Sequence, residues 1–294
     1  RGMRLVESEV ELAGAFAQAH GEAQAAFGDG RLFVERYVRH ARHVEVQVLG
    51  DGRGGAIHLG HRDCTLQRRY QKLIEEAPAH GLPPALDEQI TAAAVRMIAA
   101  LEYAGAATCE FLVDPDRGSA GFLEINARLQ VEHPVSEVVS GVDIVREQLR
   151  IAGGEGLSLT QADVRLSGHA VEVRINAESP ARDFAPSPGR LVRWAAPQGS
   201  GVRVDTACFP GWTVPPHYDS LLAKLIVAGA DRGEALERTR RALRHLRVEG
   251  VETTAGFALD LLEHPAVIGG AVHTKWVEEE FMDNWLAARA AEEH

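Results

Sequence analysis

Cysteine is scarce, positive charge is not in excess, and no long apolar run occurs; each shortage removes a class of answer. Three cysteines in 294 residues, Cys64, Cys109 and Cys208, form no CxxC pair and leave an odd number. That usage fits a reducing compartment and disfavours a disulfide scaffold or a zinc knuckle. Lys and Arg total 31 against 42 Asp and Glu, a formal charge of −11. A general nucleic-acid surface is therefore not expected, although local arginine clusters can still hold a small anion. No apolar stretch approaches the roughly 18 residues of a membrane span. The opening Arg1-Gly2-Met3-Arg4-Leu5-Val6 has neither the apolar stretch nor the cleavage site of a signal peptide. It also lacks an initiator Met, so a longer parent chain is expected. Repeats and low-complexity tracts are absent.

What remains is ordinary globular composition, with 45% hydrophobic and 25% charged residues, and such a chain needs no metal or disulfide staple. Up to Leu32 the pattern predicts a strand and then a helix, with Ser8 and Glu11 as a capping box and Gly28-Asp29-Gly30 as the stop. Leu32–Val38 reads as a buried strand. His43 to Leu49 alternates, and a turn at Asp51–Gly55 joins it to Ala56–Leu59 as a hairpin. Leu86, Ile90, Ala94, Met97, Ile98 and Leu101 fall at helical spacing between Pro83-Pro84 and Gly105. Thr108–Val113 and Phe122–Ala127 form a second strand pair, and Ile144–Ile151 a short helix closed by Gly153-Gly154. Beyond Gly168 come short strands (Ala170–Asn176, Arg190–Trp194, Val202–Asp205, Leu222–Ala228). Helices at Arg232–Leu246 and Thr254–Leu262 follow, then a charged helical tail from Trp276. This order predicts an α+β layered enzyme rather than a doubly wound sheet.

Two carboxylates carry the first chemical signal. Glu110 lies in the apolar strand around Cys109-Glu110-Phe111, and Glu124 in Phe122-Leu123-Glu124-Ile125-Asn126. Buried carboxylates must be paired or metal-bound. Across one hairpin the two face each other, with Asn126 on the face of Glu124, and such oxygens suit Mg²⁺; a core salt bridge to an arginine is the alternative. Two close carboxylates repel, so without metal at least one is expected to titrate above its ordinary value. If the chain stays extended after the hairpin, Asn126, Arg128, Gln130 and Glu132 project from one side and Leu129 and Val131 pack opposite. That edge is either a site or a solvated polar rim. Arg62 to Lys72 is the most basic stretch, either an anion-binding loop or a charged solvent face. Cys64 within it reads as a buried structural thiol.

Arg42–Val48, His61–Pro78, Glu124–Pro134, Gly168–Glu178 and Pro215–Ser220, taken together, resemble biotin carboxylase, a member of the ATP-grasp superfamily. The resemblance implies an ATP-grasp fold. Residues 1–38 would be a remnant of the lid, residues 39–164 the central antiparallel-sheet domain, and residues 165–294 the strand-rich biotin carboxylase carboxy-terminal domain. It implies that Glu35 and the Val38 backbone hold adenine, with Arg36 where the family usually has Lys. His43 and Gln67 would line the nucleotide pocket, with Gln130 and Val131 also among the cofactor-binding residues. Lys72 and Arg128 would hold bicarbonate or its phosphorylated form, and Glu110, Glu124 and Asn126 would hold Mg²⁺ or Mn²⁺. Glu132 would be the general base toward bicarbonate, and Arg174 would stabilise the enolate-like oxygen of biotin.

The implied reaction is ATP-dependent carboxylation of biotin on its carrier by bicarbonate through carboxyphosphate, giving ADP and phosphate. Implied partners are a biotin carboxyl carrier domain, a carboxyltransferase subunit or domain and a second copy as homodimer, with no nucleic acid or membrane. The implied location is bacterial cytoplasm or mitochondrial matrix. The tail from His273 to Glu280 leans toward an acyl-CoA carboxylase. Arg1-Gly2-Met3-Arg4 resembles the end of the lid's glycine-rich loop, so the isolated chain is expected to be inactive. Alternatives are a non-catalytic or dimer-forming piece, or another ATP-grasp carboxylate–amine ligase.

Overall fold

Ala, Glu and Gln dominate residues 9–27, and in the computed structural model, which describes residues 2–292, these form helix α1 (Glu9–Phe27). Gly28 ends it in the left-handed conformation at φ 71°, which glycine adopts without steric cost. The expected capping box does not form. Ser8 makes no side-chain cap, and Glu11 accepts instead from the Glu7 backbone N–H at 3.2 Å. Neither residues 2–6 nor Leu32–Val38 is a strand. Among the described residues of this first unit, 1–39, no other strand exists to complete a ladder, and a lone strand cannot satisfy its backbone groups. Arg1, the first residue of the expected loop remnant, lies outside the described residues.

The second unit, residues 40–294, is organised by the alternating run, now strand β1 (Arg42–Asp51). It pairs antiparallel with β2 (Ala56–Arg68) through a turn in which Asp51 Oδ1 accepts from the backbone of Arg53 and Gly55. A short turn leads to β3 (Gln71–Ala77). Helix α2 (Pro84–Ala100) follows and buries Leu86, Ile90, Ala94 and Ile98 against Val44, Val46 and Val48. Strands β4 (Ala104–Asp114) and β5 (Ser119–Asn126) then pair, and helices α3 (His133–Ser140) and α4 (Ile144–Ala152) close this half.

The chain re-enters the same sheet with β6 (His169–Asn176), β7 (Val202–Thr206) and β8 (Leu221–Gly229). The order is β7-β8-β6-β3-β2-β1-β4-β5, every pair antiparallel. The β3–β6 pairing carries one sheet across residue 164. Arg190–Trp194 is not one strand. Gly189–Arg190 pairs with Thr213–Val214 and Arg193–Ala195 with Arg247–Glu249, because the chain changes partner at Leu191 and Val192. Helices α5 (Arg232–His245), α6 (Ala255–Glu263), α7 (Pro265–Gly269) and α8 (Met282–Glu292) complete the α+β fold. They bury an aromatic cluster in which the Phe257 ring meets Phe281 at 5.4 Å and Trp285 at 4.9 Å, both edge-on. Such contacts add about 0.5–1.5 kcal/mol each beyond area burial.

Candidate active site

Alternation in β1 means that while its valines face α2, His43, Glu45 and Gln47 share the opposite face. That face is not solvated; Glu45 and Gln47 are fully buried. The compensation is Arg62 on β2, also fully buried. Its Nε donates to Glu45 Oε1 at 2.6 Å, and one terminal nitrogen donates to Gln47 Oε1 at 2.7 Å and Ser136 Oγ at 2.9 Å. The other donates to Gln130 Oε1 at 3.1 Å and Thr108 Oγ1 at 3.2 Å. A guanidinium has five N–H groups, and all are used. Burial would raise the Glu45 carboxyl, but Arg62, Lys72 and His43 outweigh it and bring it to about 2. The Arg62–Lys72 stretch is therefore not one loop or one solvent face: it is parts of two strands joined by a turn at which Arg69, Tyr70 and Gln71 are exposed, and Cys64 within it is a buried free thiol.

A register shift places Lys72 on this face. Gln67 opposes Lys72 while Leu66 opposes Ile74, so β3 carries one extra residue there and Glu75 joins Lys72's side. Lys72 Nζ bonds Glu45 Oε2 at 2.6 Å, makes a short ion pair with Glu132 Oε1, and lies 3.5 Å from Glu110 Oε1. Burial alone would lower the Lys72 ammonium. Cys64, Glu45, Glu132 and Glu110 together raise it instead. Arg174 on β6 donates to the other oxygen of Glu132 at 2.9 Å and through Nε to Glu75 Oε1 at 2.6 Å. Glu132, just before α3, thus has a cation on each carboxylate oxygen.

Glu110 and Glu124 stand directly opposite in the β4–β5 ladder. Asn126 Nδ2 donates to Glu110 Oε1 at 2.9 Å and to Glu124 Oε1 at 3.2 Å, and Gln130 Nε2 donates to Glu110 Oε1 at 3.0 Å. The pair is lopsided, since Glu110 is buried and Glu124, on an edge strand, is exposed. At Glu110 the shift runs opposite to the expected upward one: burial would raise its carboxyl, but the His43 imidazole, 3.1 Å away, and the Lys72 charge bring it down to about 2. Those two neighbours, not the partner carboxylate, decide its state. Hard oxygens from Glu110 and Glu124 fit a divalent cation of the Mg²⁺ or Mn²⁺ type; Asn126, whose Nδ2 faces both carboxylates while its Oδ1 accepts from Arg128, would add its oxygen by turning its amide. His43, Glu45 and Glu110 also offer ligand atoms within 4.8 Å of one another.

The stretch after Asn126 is not extended; it turns through Gln130 into α3. Its polar groups still converge, because Arg128 donates to Asn126 Oδ1 at 3.2 Å while Gln130 bridges Arg62 and Glu110. Leu129 packs in the core, whereas the Val131 carbonyl accepts from Lys224 Nζ at 3.0 Å. Gln67 Nε2 lies 3.4 Å from His43 Nδ1. Glu35, Arg36 and Val38 belong to the first unit, in a stretch without regular structure, where Glu35 and Arg36 are exposed and Val38 is half-buried. Glu45, Gln47, Arg62, Glu75 and Glu172 are the partners that sequence reasoning missed. The available signal was charged residues alternating inside otherwise apolar strands.

A family model for the ATP-binding domain of the carbamoyl-phosphate synthase L chain matches residues 1–160, and one for the biotin carboxylase C-terminal domain matches residues 172–279. The chain belongs to the biotin carboxylase family, within the ATP-grasp superfamily. Biotin carboxylase of a Nostoc species is 50% identical over 279 residues, 95% of this chain and 62% of that protein. The biotin carboxylase domain of a thermophilic 2-oxoglutarate carboxylase, solved with bicarbonate, matches at TM-score 0.89 and 43% identity, over 94% of this chain and 62% of that one. The domain dimer of the Hydrogenobacter thermophilus 2-oxoglutarate carboxylase, solved with MgADP, ADP and bicarbonate, matches at TM-score 0.86 and 43% identity, over 95% and 61%. The chain therefore spans less than two thirds of the length of these biotin carboxylases.

Proposed function

We propose that this chain supplies the bicarbonate-activating and biotin-facing half of a biotin carboxylase, which carboxylates carrier-bound biotin with ATP and bicarbonate. The observation that carries the reading is Glu132, a carboxylate pinned on both oxygens by Lys72 and Arg174 and sharing Lys72 with Glu110. Arg128 and Lys72 hold the bicarbonate anion, and Glu132 takes its proton, so that the bicarbonate oxygen can attack the γ-phosphoryl group of ATP. Mg²⁺ or Mn²⁺ held by Glu110, Glu124 and Asn126 would neutralise charge on the phosphoryl oxygens when bound. Arg174, with two nitrogens already committed to carboxylates, stabilises the oxyanion that forms on biotin once Glu132 has its proton.

In this reading residues 39–164 hold nucleotide, metal and bicarbonate, and residues 165–294 bring Arg174 to them. His43, Gln67, Gln130 and Val131, with Glu35, Arg36 and Val38, are assigned to the nucleotide side. A biotin carrier domain, a carboxyltransferase and a second copy of the chain are the partners, in an acyl-CoA carboxylase. The three free cysteines fit bacterial cytoplasm or mitochondrial matrix. Among the described residues no helix is long and apolar enough to cross a membrane. The reading is tested by biotin-dependent ATP cleavage in a protein carrying this chain at its relatives' full length. Arg174→Lys keeps the charge but loses the planar fork, so biotin-dependent turnover should fall while ATP binding holds. Equal turnover would remove Arg174 from the reaction.

A further inference from the structure

One buried group has no use in this reaction. Glu172 on β6 directly opposes Glu75 on β3 in the ladder, and opposed residues have Cβ atoms about 4.5–5.5 Å apart. Both side chains are fully buried. Glu75 spends Oε1 on Arg174 Nε, at 2.6 Å, but its Oε2 has no partner, and neither oxygen of Glu172 has one. The cations nearby are already spent. Arg62 and Lys72 serve Glu45, Lys72 and Arg174 serve Glu132, Arg174 serves Glu75, and Lys72 also lies 3.5 Å from Glu110: three cations against four carboxylates. Glu172 is the fifth carboxyl.

The other elements around Glu172 do not change this sum. Lys224, on β8 opposite Arg174, is committed to the Val131 carbonyl and lies 3.6 Å from Asp205. From α3 come His133, bonded to the Gln130 carbonyl, and Glu137, bonded to Arg203 at 2.9 Å. An unpaired ionised carboxylate at full burial is strongly disfavoured. A protonated one opposite an orphan carboxylate oxygen is a donor facing an acceptor.

We propose that Glu172 carries the proton of a buried Glu75–Glu172 carboxyl pair, and that this pair is the positioning device that holds Arg174 against Glu132. Burial, reinforced by the Glu75 charge and only partly offset by Lys224 and Arg174, pushes the Glu172 carboxyl well above its ordinary range, as the geometry requires. Glu172 keeps Glu75 ionised by donating to it, Glu75 fixes the Arg174 Nε–H, and Arg174 is thereby aimed at Glu132.

The test uses the 294-residue chain and needs no turnover, so its failure is distinct from failure of the carboxylase reading. Infrared spectra at pH 7 should show a protonated-carboxyl C=O band that Glu172→Gln removes. The folded state keeps a proton that the unfolded chain releases above about pH 4.5, so stability falls as pH rises from 5 to 8. Glu172→Gln should flatten that slope by up to tenfold in the unfolding constant per pH unit. The ¹H–¹⁵N signal of Arg174 Nε, assigned by its loss in Arg174→Lys, reports positioning. It should persist in Glu172→Gln, which still donates to Glu75, and exchange broadly in Glu172→Leu, which fills similar space without a donor, and in Glu75→Gln. No band, an unaltered pH slope in Glu172→Gln, or equal Arg174 signals in the Gln and Leu variants would overturn the proposal.

Discussion

Replacing Arg62 with Lys keeps the charge and changes only the number and geometry of donors. Arg62 places five N–H groups on five acceptors, one of them the Glu45 carboxylate, in a fully buried setting. An ammonium has three N–H groups, so at least two of Gln47, Ser136, Thr108 and Gln130 lose their donor. A hydrogen bond to a charged group contributes about 1.5–3 kcal/mol. Two of them set the loss at about 3–6 kcal/mol, a large part of a total stability of about 5–15 kcal/mol. At roughly 2–4 °C per kcal/mol for a domain of comparable size, the midpoint should fall by at least about 6 °C. Urea unfolding followed by circular dichroism gives the free energy, with an unchanged m value showing that both end states persist. Because Gln130 also donates to Glu110, the variant should bind Mn²⁺ more weakly as well. A loss under about 1 kcal/mol at unchanged m would refute the claim that Arg62 is the structural centre of this face.

Three further outcomes follow from named contacts. Gln130→Ala removes an orienting donor from Glu110, so Mn²⁺ affinity by electron paramagnetic resonance should drop about 10–100-fold; unchanged affinity would place the metal elsewhere. Burial would raise the Glu76 carboxyl, but hydrogen bonds from His169 and Arg232 hold it at about 2 instead of 4.5. Its folded value is depressed, so its contribution, about 3 kcal/mol, is present above pH 4.5 and lost as pH falls toward 2. Glu76→Gln should therefore weaken the acid dependence of stability, and an identical acid curve would contradict the pairing. Gly50→Ala would place a Cβ 2.2 Å from the Tyr103 carbonyl oxygen; overpacking of this kind costs about 1–3 kcal/mol, readable as a shift in the urea midpoint.

Elements with a local signature were legible in the sequence. The alternating His43–Leu49 run, its Asp51–Gly55 turn, the α2 stripe and the β4–β5 pair all carry their period within a few residues. The missed features depend on distant partners. β3 pairs with β6 roughly a hundred residues away, as Glu75 with Glu172, and no local period announces it. Alternation told which side of β1 holds Glu45 and Gln47 but not that Arg62 covers that side, so a buried guanidinium read as part of a surface run. Leu32–Val38 has strand composition and no strand partner in its unit, and propensity yields to that. For the site, Glu110, Glu124 and Asn126 were readable because one hairpin contains them. The raised Glu172 and lowered Glu110 were not, because Glu172 is raised by burial among distant strands, with the Glu75 charge added, and Glu110 is lowered by His43 and Lys72 from other strands.

The most direct test of the account is the effect of Glu132→Gln on bicarbonate- and biotin-dependent ATP cleavage, measured at the relatives' full length beside ADP affinity by calorimetry. Gln keeps the shape and one accepting oxygen, enough for Lys72 or Arg174 but not both, and it cannot take a proton. The account predicts a fall of about 10²–10⁴-fold in cleavage with ADP affinity unchanged. Cleavage at the wild-type rate would show that Glu132 does not take the proton and that another group activates bicarbonate.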